Sequence, residues 1–275
     1  MRKSILLLLA ASILWSTGGL LIKLVNLPPL ALAGYRGLFT ACFLFLFVKK
    51  SAFSFSWNKA LGALSYAAVT ILCVAATKHT TAASAILLQY TSPIYIAILG
   101  GLLLKEKSTL RDWMMIFFVL SGMVLFFLDD IGSSNLTGNL MGALSGVAMA
   151  FNTIFMRREK DADPVQNVFW GSILTVIITS PFMAANIPGR ESWTGLALLG
   201  IFQLGLAYLL YSMAIKNIPA LQATLICLVE PLLNPLWVYL TIGELPGGLS
   251  ILGGIIILVF VTLNSLNMKK AGNPA

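Results

Sequence analysis

Long apolar runs separated by short polar segments extend along the whole chain. A helix that crosses a bilayer needs about 20 mostly apolar residues. The sequence holds ten such runs, at residues 4–24, 29–48, 59–77, 81–104, 112–128, 137–156, 165–184, 193–214, 219–242 and 248–266. This pattern predicts an all-α polytopic membrane protein with ten transmembrane helices and short loops.

The composition agrees with a location in a bilayer. Hydrophobic residues make up 58% of the chain and charged residues only 10%, whereas soluble domains carry about 25% charged residues. The net charge of +8 could suggest a nucleic-acid partner, but in the ten-span layout fourteen of the eighteen Lys and Arg fall on one side. Basic loops face the cytoplasm. We therefore expect both termini to be cytoplasmic and no nucleic acid to bind.

The sequence repeats itself at a shift of 138 residues. Over positions 76–106 this shift gives eight identities in 31 positions. They include Lys78 with Lys216, Pro93 with Pro231, and Glu106 with Glu244. A weaker shift of 135 relates the opening segments. Apolar letters coincide easily between membrane segments, but Lys, Pro and Glu in one register indicate a duplication.

The duplication divides the chain into residues 1–130, a first five-helix repeat, and residues 131–275, a second repeat. Because five is odd, the second copy enters the membrane from the opposite side. The sequence therefore predicts one integral membrane domain made of two inverted five-helix repeats. Inverted repeats recur in secondary transporters, which bind substrate near the bilayer midplane at the interface of the halves.

Several segments resemble one known family of membrane proteins. They are Trp15 with Gly18 and Gly19, Tyr35-Arg36, SPIYIAILGGLLLKE from Ser92, GLAYLLYSMAI from Gly205 and LVEPLLNPLWVYLTIGE from Leu228. The chain resembles the drug/metabolite transporter superfamily, in particular its ten-helix EamA-type exporters. The resemblance implies a carrier of the bacterial inner membrane that moves small organic solutes by alternating access, often outward. It does not identify the solute.

Glu230 is the carboxylate that the apolar pattern leaves unexplained, because it lies midway along the ninth run. A charge at that depth costs roughly 2.5–3.5 kcal/mol on insertion scales, so it faces a polar cavity or a partner. It could be a structural acid bonded near the break expected at Pro231. Alternatively, it could hold a proton and a cationic group in turn, which would couple transport to protons. On one continuous helix Asn234 and Trp237 would share its face.

Arg36 is the second charge inside a predicted span. It could be structural, either by reaching toward the interface or by pairing with a helix end. It could also bind a substrate carboxylate through its planar guanidinium group. An acid and a guanidinium in one cavity suit a zwitterion, which favours amino-acid-like substrates.

Prolines and aromatic residues complete the predicted site. Pro93 and Pro231 remove backbone donors in helices four and nine, so we expect a kink at each. Aromatic rings could wall a pocket and attract cations, although many in such a protein face lipid or pack between helices. The favoured pocket residues are Trp15, Tyr35, Tyr90, Tyr208 and Trp237.

Charged residues at the ends of helices have weaker claims to function. Glu106 and Glu244 end helices four and nine at opposite membrane surfaces, where they could be solvated acids or gate residues. Lys78 and Lys216 lie at loop edges, and we expect both to be solvated. Cys42, Cys73 and Cys227 have no paired spacing, so neither a disulfide framework nor a metal site is indicated.

The leading function is a secondary active transporter that exports a small polar or amphipathic metabolite, with an amino acid or amine favoured, by proton coupling or exchange. The sequence contains no nucleotide-binding loop, so direct coupling to ATP is not indicated. A membrane enzyme would need a nucleophile with a base, or a metal set, and the sequence offers neither, so we expect no enzyme and no cofactor. The alternatives are a flippase for lipid carriers or amphiphiles and a channel or scaffold. Expected partners are the substrate, the bilayer and protons, in a monomer or homodimer.

Overall fold

The computed structural model describes residues 2–48, 55–129, 135–242 and 248–271, and this part of the chain is helical with short connections. Its helices form ten successive passes. The first five passes are α1 (Arg2–Ser16) with α2 (Gly18–Leu24), α3 (Pro29–Phe45), α4 (Trp57–His79), α5 (Ala82–Gln89) with α6 (Ser92–Leu103), and α7 (Leu110–Asp129). The next five are α8 (Leu136–Arg158), α9 (Val165–Ala185), α10 (Ser192–Ala197) with a π-helix (Leu198–Leu206) and α11 (Ala207–Ile215), α12 (Ala220–Ile226) with α13 (Val229–Ile242), and α14 (Gly248–Ala271). We call these passes spans one to ten.

The ten predicted spans match these passes to within a few residues at most ends. Six of the described segments are by themselves long and apolar enough to cross a membrane, and the remaining passes include shorter apolar helices. Large apolar side chains such as Leu6, Leu102 and Phe117 are exposed on the outside of the bundle. Exposed apolar surface of this kind is suited to lipid contact. The all-α polytopic fold predicted from the sequence is confirmed.

Spans alternate in direction, so each loop lies at one of two faces of the bundle. We call the face where α1 begins and α14 ends the terminal face, and the other the distal face. The described residues that directly follow spans two, four, six and eight lie at the terminal face. This is the face where the sequence places most of its basic residues.

Spans four and nine are each interrupted near mid-depth. The fourth span breaks at Tyr90 and Thr91, and the ninth breaks at Cys227 and Leu228. The disruption expected at Pro93 and Pro231 takes the form of a complete break just before each proline, so that Pro93 and Pro231 lie in the first turn of a new helix. Proline suits that position because its missing N–H would have no helical partner there.

Contacts between spans come in related couples. Span three packs on spans six and seven, and span eight packs correspondingly on spans one and two. Spans two and seven pack on each other, and so do spans five and ten. Each contact maps onto another, or onto itself, when five is added to or subtracted from the span number. This pattern supports the predicted division into two five-helix copies.

Two repeat-equivalent lysines make the same type of contact at opposite faces. The Lys78 Nζ donates to the Val25 carbonyl oxygen at 2.7 Å, just after the first span. The Lys216 Nζ donates to the Ala162 carbonyl oxygen at 3.1 Å, just after the sixth span. The expectation that both ammonium groups are merely solvated was wrong, because each binds the backbone of the loop after the first span of one copy.

One side of α8 consists of glycines that lie against the fourth span and the residues before it. A methyl group at Gly138 would lie 2.8 Å from the Thr80 nitrogen. At Gly146 it would lie 2.9 Å from the carbonyl oxygens of Leu88 and Gln89. Gly142 makes a similar approach to Leu88. These glycines let two backbones come closer than any side chain would allow.

Candidate functional site

A polar cavity lies inside the bundle and extends from mid-depth toward the distal face. Its volume is about 40 Å³, which suffices for one or two water molecules. Seven of the ten spans contribute described residues to its wall. The wall is formed by Trp15, Gly18, Gly19, Ile22, Arg36, Val69, Thr70, Cys73, Thr77, Ile86, Gln89, Met149, Gln203, Leu204, Tyr208 and Glu230.

Glu230 reaches this cavity from the first turn of α13. Its side chain is 8% exposed, and the Tyr90 hydroxyl donates a hydrogen bond to Oε2 at 2.5 Å. The break in span nine explains the position, because it creates a helix N-terminus at mid-depth, where a negative charge is favoured. The interrupted spans four and nine therefore meet at Tyr90 and Glu230.

The same tyrosine also contacts the break in span nine directly. The Tyr90 hydroxyl oxygen lies 3.0 Å from the carbonyl oxygen of Cys227, at the end of α12. Since a hydroxyl has one proton, Tyr90 can donate to Glu230 or to Cys227 at any moment. Tyr90 is 2% exposed, so bulk water does not compete for its hydroxyl proton.

Arg36 enters the cavity from α3 on another side. It is 2% exposed, and its Nε has no hydrogen-bond partner among the described residues. Arg36 and Glu230 both belong to the described part of the chain, and no ion pair joins them. The ion pair within the described residues links Arg157 to Glu106, outside this cavity. The cavity therefore holds a guanidinium and a carboxyl group that do not neutralise each other by contact.

Aromatic rings close the cavity toward the terminal face. The rings of Trp15 and Tyr208 lie edge to face, with centroids 4.8 Å apart. Tyr208 packs in the same way on Tyr66 at 5.0 Å, and Trp15 contacts Tyr211 at 5.3 Å. All four side chains are buried. Edge-to-face packing of this kind is favourable, so this cluster forms a well-packed floor under the cavity.

Gln203 is a cavity residue that the sequence did not reveal. It lies in the π-helix of span eight and is 7% exposed. Its Nε2 donates to the Trp15 carbonyl oxygen at 3.3 Å, while its Oε1 has no partner among the described residues. A buried acceptor without a partner costs about 1–3 kcal/mol. The surrounding apolar run gave no sign of the π-helix, although such insertions are frequent at functional sites.

The other predicted pocket residues lie elsewhere. The Tyr35 hydroxyl donates to the Met183 carbonyl oxygen at 3.0 Å, because Tyr35 faces α9 rather than the cavity. The Trp237 Nε1 donates to the Ser16 hydroxyl at 2.8 Å, beside the break in span one. Trp237 does not line the cavity, although it follows Glu230 by two turns within α13, because this hydrogen bond holds its ring against span one. The side chain of Asn234 lies outside the described residues.

Glu106 is not a solvated acid but the centre of a polar cluster at the terminal face. Its Oε1 pairs with the Arg157 Nε at 2.7 Å, and its Oε2 accepts from the Ala220 backbone N–H at 3.0 Å. Arg157 Nη1 also donates to the carbonyl oxygens of Ile215 and Lys216. Glu106 thus ties the first half to the second. The equivalent Glu244 lies outside the described residues.

Comparisons with known proteins place these features in a family. An uncharacterized transporter of Archaeoglobus fulgidus is 25% identical over 288 residues, which cover 98% of this chain and 99% of that protein. The uncharacterized transporter YdfC of Bacillus subtilis is 26% identical over 220 residues, which cover 76% of this chain and 71% of that protein.

The fold is shared with a solved structure. A protein described only as "Crystal structure of protein" superposes with a TM-score of 0.81, covering 99% of this chain and 100% of that chain at 18% identity. The sequence profile of the EamA-like transporter family matches residues 2–128 and 136–266. This chain therefore belongs to the EamA-like transporter family and is a multi-pass membrane protein.

Proposed function

We propose that this protein is a secondary active transporter that exports a small zwitterionic metabolite such as an amino acid across the bacterial inner membrane. Alternating access moves the substrate, and Glu230 couples its movement to protons. Both termini are cytoplasmic in this proposal, so the terminal face is the cytoplasmic one. Membership of a transporter family supports the general activity, and the chemistry of the cavity supports the substrate class.

The observation that carries this proposal is the pair of unneutralised charges in one cavity. Burying a charge inside a membrane protein is costly, and such charges normally pair with one another. Arg36 and Glu230 line the same cavity without an ion pair. A zwitterion satisfies both, because its carboxylate fits the guanidinium and its ammonium group fits the carboxylate. A ligand with one charge would leave one of the two groups unmatched.

The two acceptors available to Tyr90 suit a proton-coupled step. With Glu230 ionised, the Tyr90 hydroxyl donates to its carboxylate. When Glu230 takes up a proton, the carboxyl group becomes a donor, and the Tyr90 proton can turn to the Cys227 carbonyl oxygen. Protonation would then alter a contact at the end of α12, at the break in span nine. In this way the charge of the site is connected to the backbone of a half-helix.

The distribution of polar and closed regions is consistent with an outward-facing or occluded arrangement. The cavity extends toward the distal face, while the cluster of Trp15, Tyr66, Tyr208 and Tyr211 lies beneath it. Below that cluster, the Glu106–Arg157 pair joins the two halves at the terminal face. Inward opening would have to separate both layers. A flippase for amphiphiles is less well supported, because residues of seven spans surround the cavity.

A reconstituted flux assay tests this function. Liposomes that contain the purified protein are loaded with each of the twenty amino acids and with several biogenic amines. Efflux from the liposomes is measured under imposed pH gradients. We expect saturable efflux of at least one zwitterion that depends on the gradient. Glu230→Gln should abolish the pH dependence and lower efflux by tenfold or more, since a titratable buried acid is replaced by a neutral isostere.

The matched control is Glu191→Gln, which makes the same change at an exposed acid in the distal loop before α10. This variant should keep both the efflux and its pH dependence. Gradient-dependent efflux that persists in Glu230→Gln would reject proton coupling through Glu230. Movement of a labelled lipid between the two leaflets, without efflux of any amino acid, would favour the flippase.

A further inference from the structure

The Gln203 side chain presents an unused acceptor in the cavity. Gln203 is more than nine-tenths buried and lines the same wall as Arg36. Its Oε1 has no partner among the described residues. Buried side-chain polar atoms usually have a partner. The absence of one in a cavity indicates a group whose partner is the ligand.

Neighbouring contacts fix both the position of this amide and its orientation. The Nε2 donates to the Trp15 carbonyl oxygen, so the other amide atom, which faces away from that carbonyl, must be the oxygen. A methyl group at Gly18 would lie 2.6 Å from Nε2, which shows how closely the first span confines the side chain. The acceptor is therefore held in place rather than free to rotate.

A second contact links the π-helix to the helix that carries Arg36. The Thr40 hydroxyl oxygen lies 2.9 Å from the Gly200 carbonyl oxygen and 2.9 Å from the Arg36 carbonyl oxygen, so its one proton can be donated to either. Thr40 lies one turn after Arg36, and Gly200 lies three residues before Gln203. This bridge sets the distance between the guanidinium donors and the Gln203 acceptor.

The two groups together select a ligand that offers an acceptor and an N–H donor close to each other. An α-amino acid has this combination, since its carboxylate and ammonium group are attached to the same carbon atom. We propose that Gln203 is a specificity-determining residue that accepts an N–H hydrogen bond from the substrate ammonium group while Arg36 binds the carboxylate. This assignment rests on the proposed function. An ammonium group has three N–H donors, so this hydrogen bond to Gln203 is compatible with its contact to Glu230.

A comparison of amino acids with their desamino analogues tests the assignment. Thermal shift is measured on full-length protein in detergent with each of the twenty L-amino acids and with the matching carboxylic acid that lacks the amino group, such as 4-methylpentanoate for leucine. We expect the wild type to prefer at least one amino acid over its analogue. Gln203→Met keeps the side-chain length but removes the acceptor, and should lower that preference about tenfold, as expected for one lost hydrogen bond.

Two further variants separate recognition from a structural role. Gln203→Glu keeps an acceptor but loses the bond to Trp15, so it should retain the preference for amino acids and bind cationic amines more tightly. Gln222→Met makes the same change outside the cavity, where Gln222 donates to Asp112, and should leave the preference unchanged. If Gln203→Glu loses the preference as fully as Gln203→Met, the residue acts only through Trp15 and the assignment is wrong.

The outcomes also distinguish this assignment from the proposed function. A wild type that prefers an amino acid, together with a Gln203→Met variant that keeps the same preference, would contradict the role of Gln203 alone. A wild type that no amino acid stabilises would contradict the zwitterionic substrate itself, and with it the assignment.

Discussion

The interruptions in spans four and nine occupy equivalent places in the two halves, but their chemistry differs. After the first break, Ser92 begins α6, and its hydroxyl has no partner among the described residues. After the second break, Glu230 lies in the first turn of α13 and accepts a hydrogen bond from Tyr90. The geometry of a broken helix is thus present twice, while the carboxylate is present once.

The second pair of equivalent positions shows the opposite distribution. Arg36 in span two lines the cavity, whereas Gly171 in span seven lies against the ring of Tyr66. One copy supplies the cation and the other supplies the acid. In this chain each half has one of the two charges, so a single asymmetric site lies between two similar halves.

The largest expected effect is on the cation. Arg36→Lys should weaken binding of the amino acid that gives the largest thermal shift by about a hundredfold, because lysine cannot bind a carboxylate through two parallel N–H groups. Isothermal titration of purified protein measures the change. Arg190→Lys, at an exposed distal loop, is the matched control. Equal affinities in the two variants would show that Arg36 is structural.

Removal of the Tyr90 hydroxyl should have the next largest effect. Tyr90→Phe breaks the bond to Glu230 and should lower the stability of the protein by about 1.5–3 kcal/mol, since hydrogen bonds to charged groups are among the strongest. Thermal unfolding at two pH values measures the loss. We expect the loss to be larger at high pH, where Glu230 is ionised. A loss that does not depend on pH would argue against the proposed switch of the Tyr90 proton.

Gly171 tests why the second copy lacks a charge. In Gly171→Ala the new methyl group would lie 2.6 Å from Tyr66 Cδ1 and 2.8 Å from the Ala63 carbonyl oxygen. Overpacking of this kind costs about 1–3 kcal/mol, and thermal unfolding should show it. Gly101→Ala is the control, because a methyl group there meets nothing within 4 Å. Unchanged stability in Gly171→Ala would mean that packing does not exclude a side chain at this position.

The smallest effect on transport is expected at the uncharged break. Ser92→Ala removes a buried hydroxyl without a partner among the described residues, so stability should rise by up to about 1–3 kcal/mol and efflux should stay within twofold of the wild type. The same flux assay measures Ser92→Ala beside Glu230→Gln. A large loss of efflux in Ser92→Ala would show that the two breaks are functionally more alike than their residues suggest.

The sequence predicted those features that depend on local composition. Apolar runs defined the ten spans, and the costs of burying Glu230 and Arg36 marked them as the residues that need a cavity. The structure brings both to one cavity, together with Trp15 and Tyr208, and Tyr90 bonds Glu230 beside it. The burial of a charge in an apolar span has few physical solutions, so the sequence could indicate that these residues share a cavity, while their roles stay predictions.

Features that depend on contacts between distant segments could not be predicted. The Tyr90 hydroxyl reaches the Cys227 carbonyl oxygen at the second break, and that contact spans half of the chain. The sequence placed Trp237 in the pocket because it follows Glu230 by two helical turns, but its ring bonds Ser16 on span one. The π-helix that orients Gln203 and the pairing of Arg157 with Glu106 likewise depend on tertiary packing. No local pattern records them.

The glycine face of α8 has a consequence for relative motion. Side chains that interdigitate fix the axial position of two helices, but the bare backbone at Gly138, Gly142 and Gly146 offers nothing to interlock. The described side-chain hydrogen bonds across this surface join Ser145 to Gln89 and Thr80 to Asn139, each at 3.1 Å. Each is worth about 0.5–1.5 kcal/mol. At this surface, sliding of α8 along the fourth span would break only weak hydrogen bonds of this kind, so resistance to such motion would come mainly from the packing of α8 on α4.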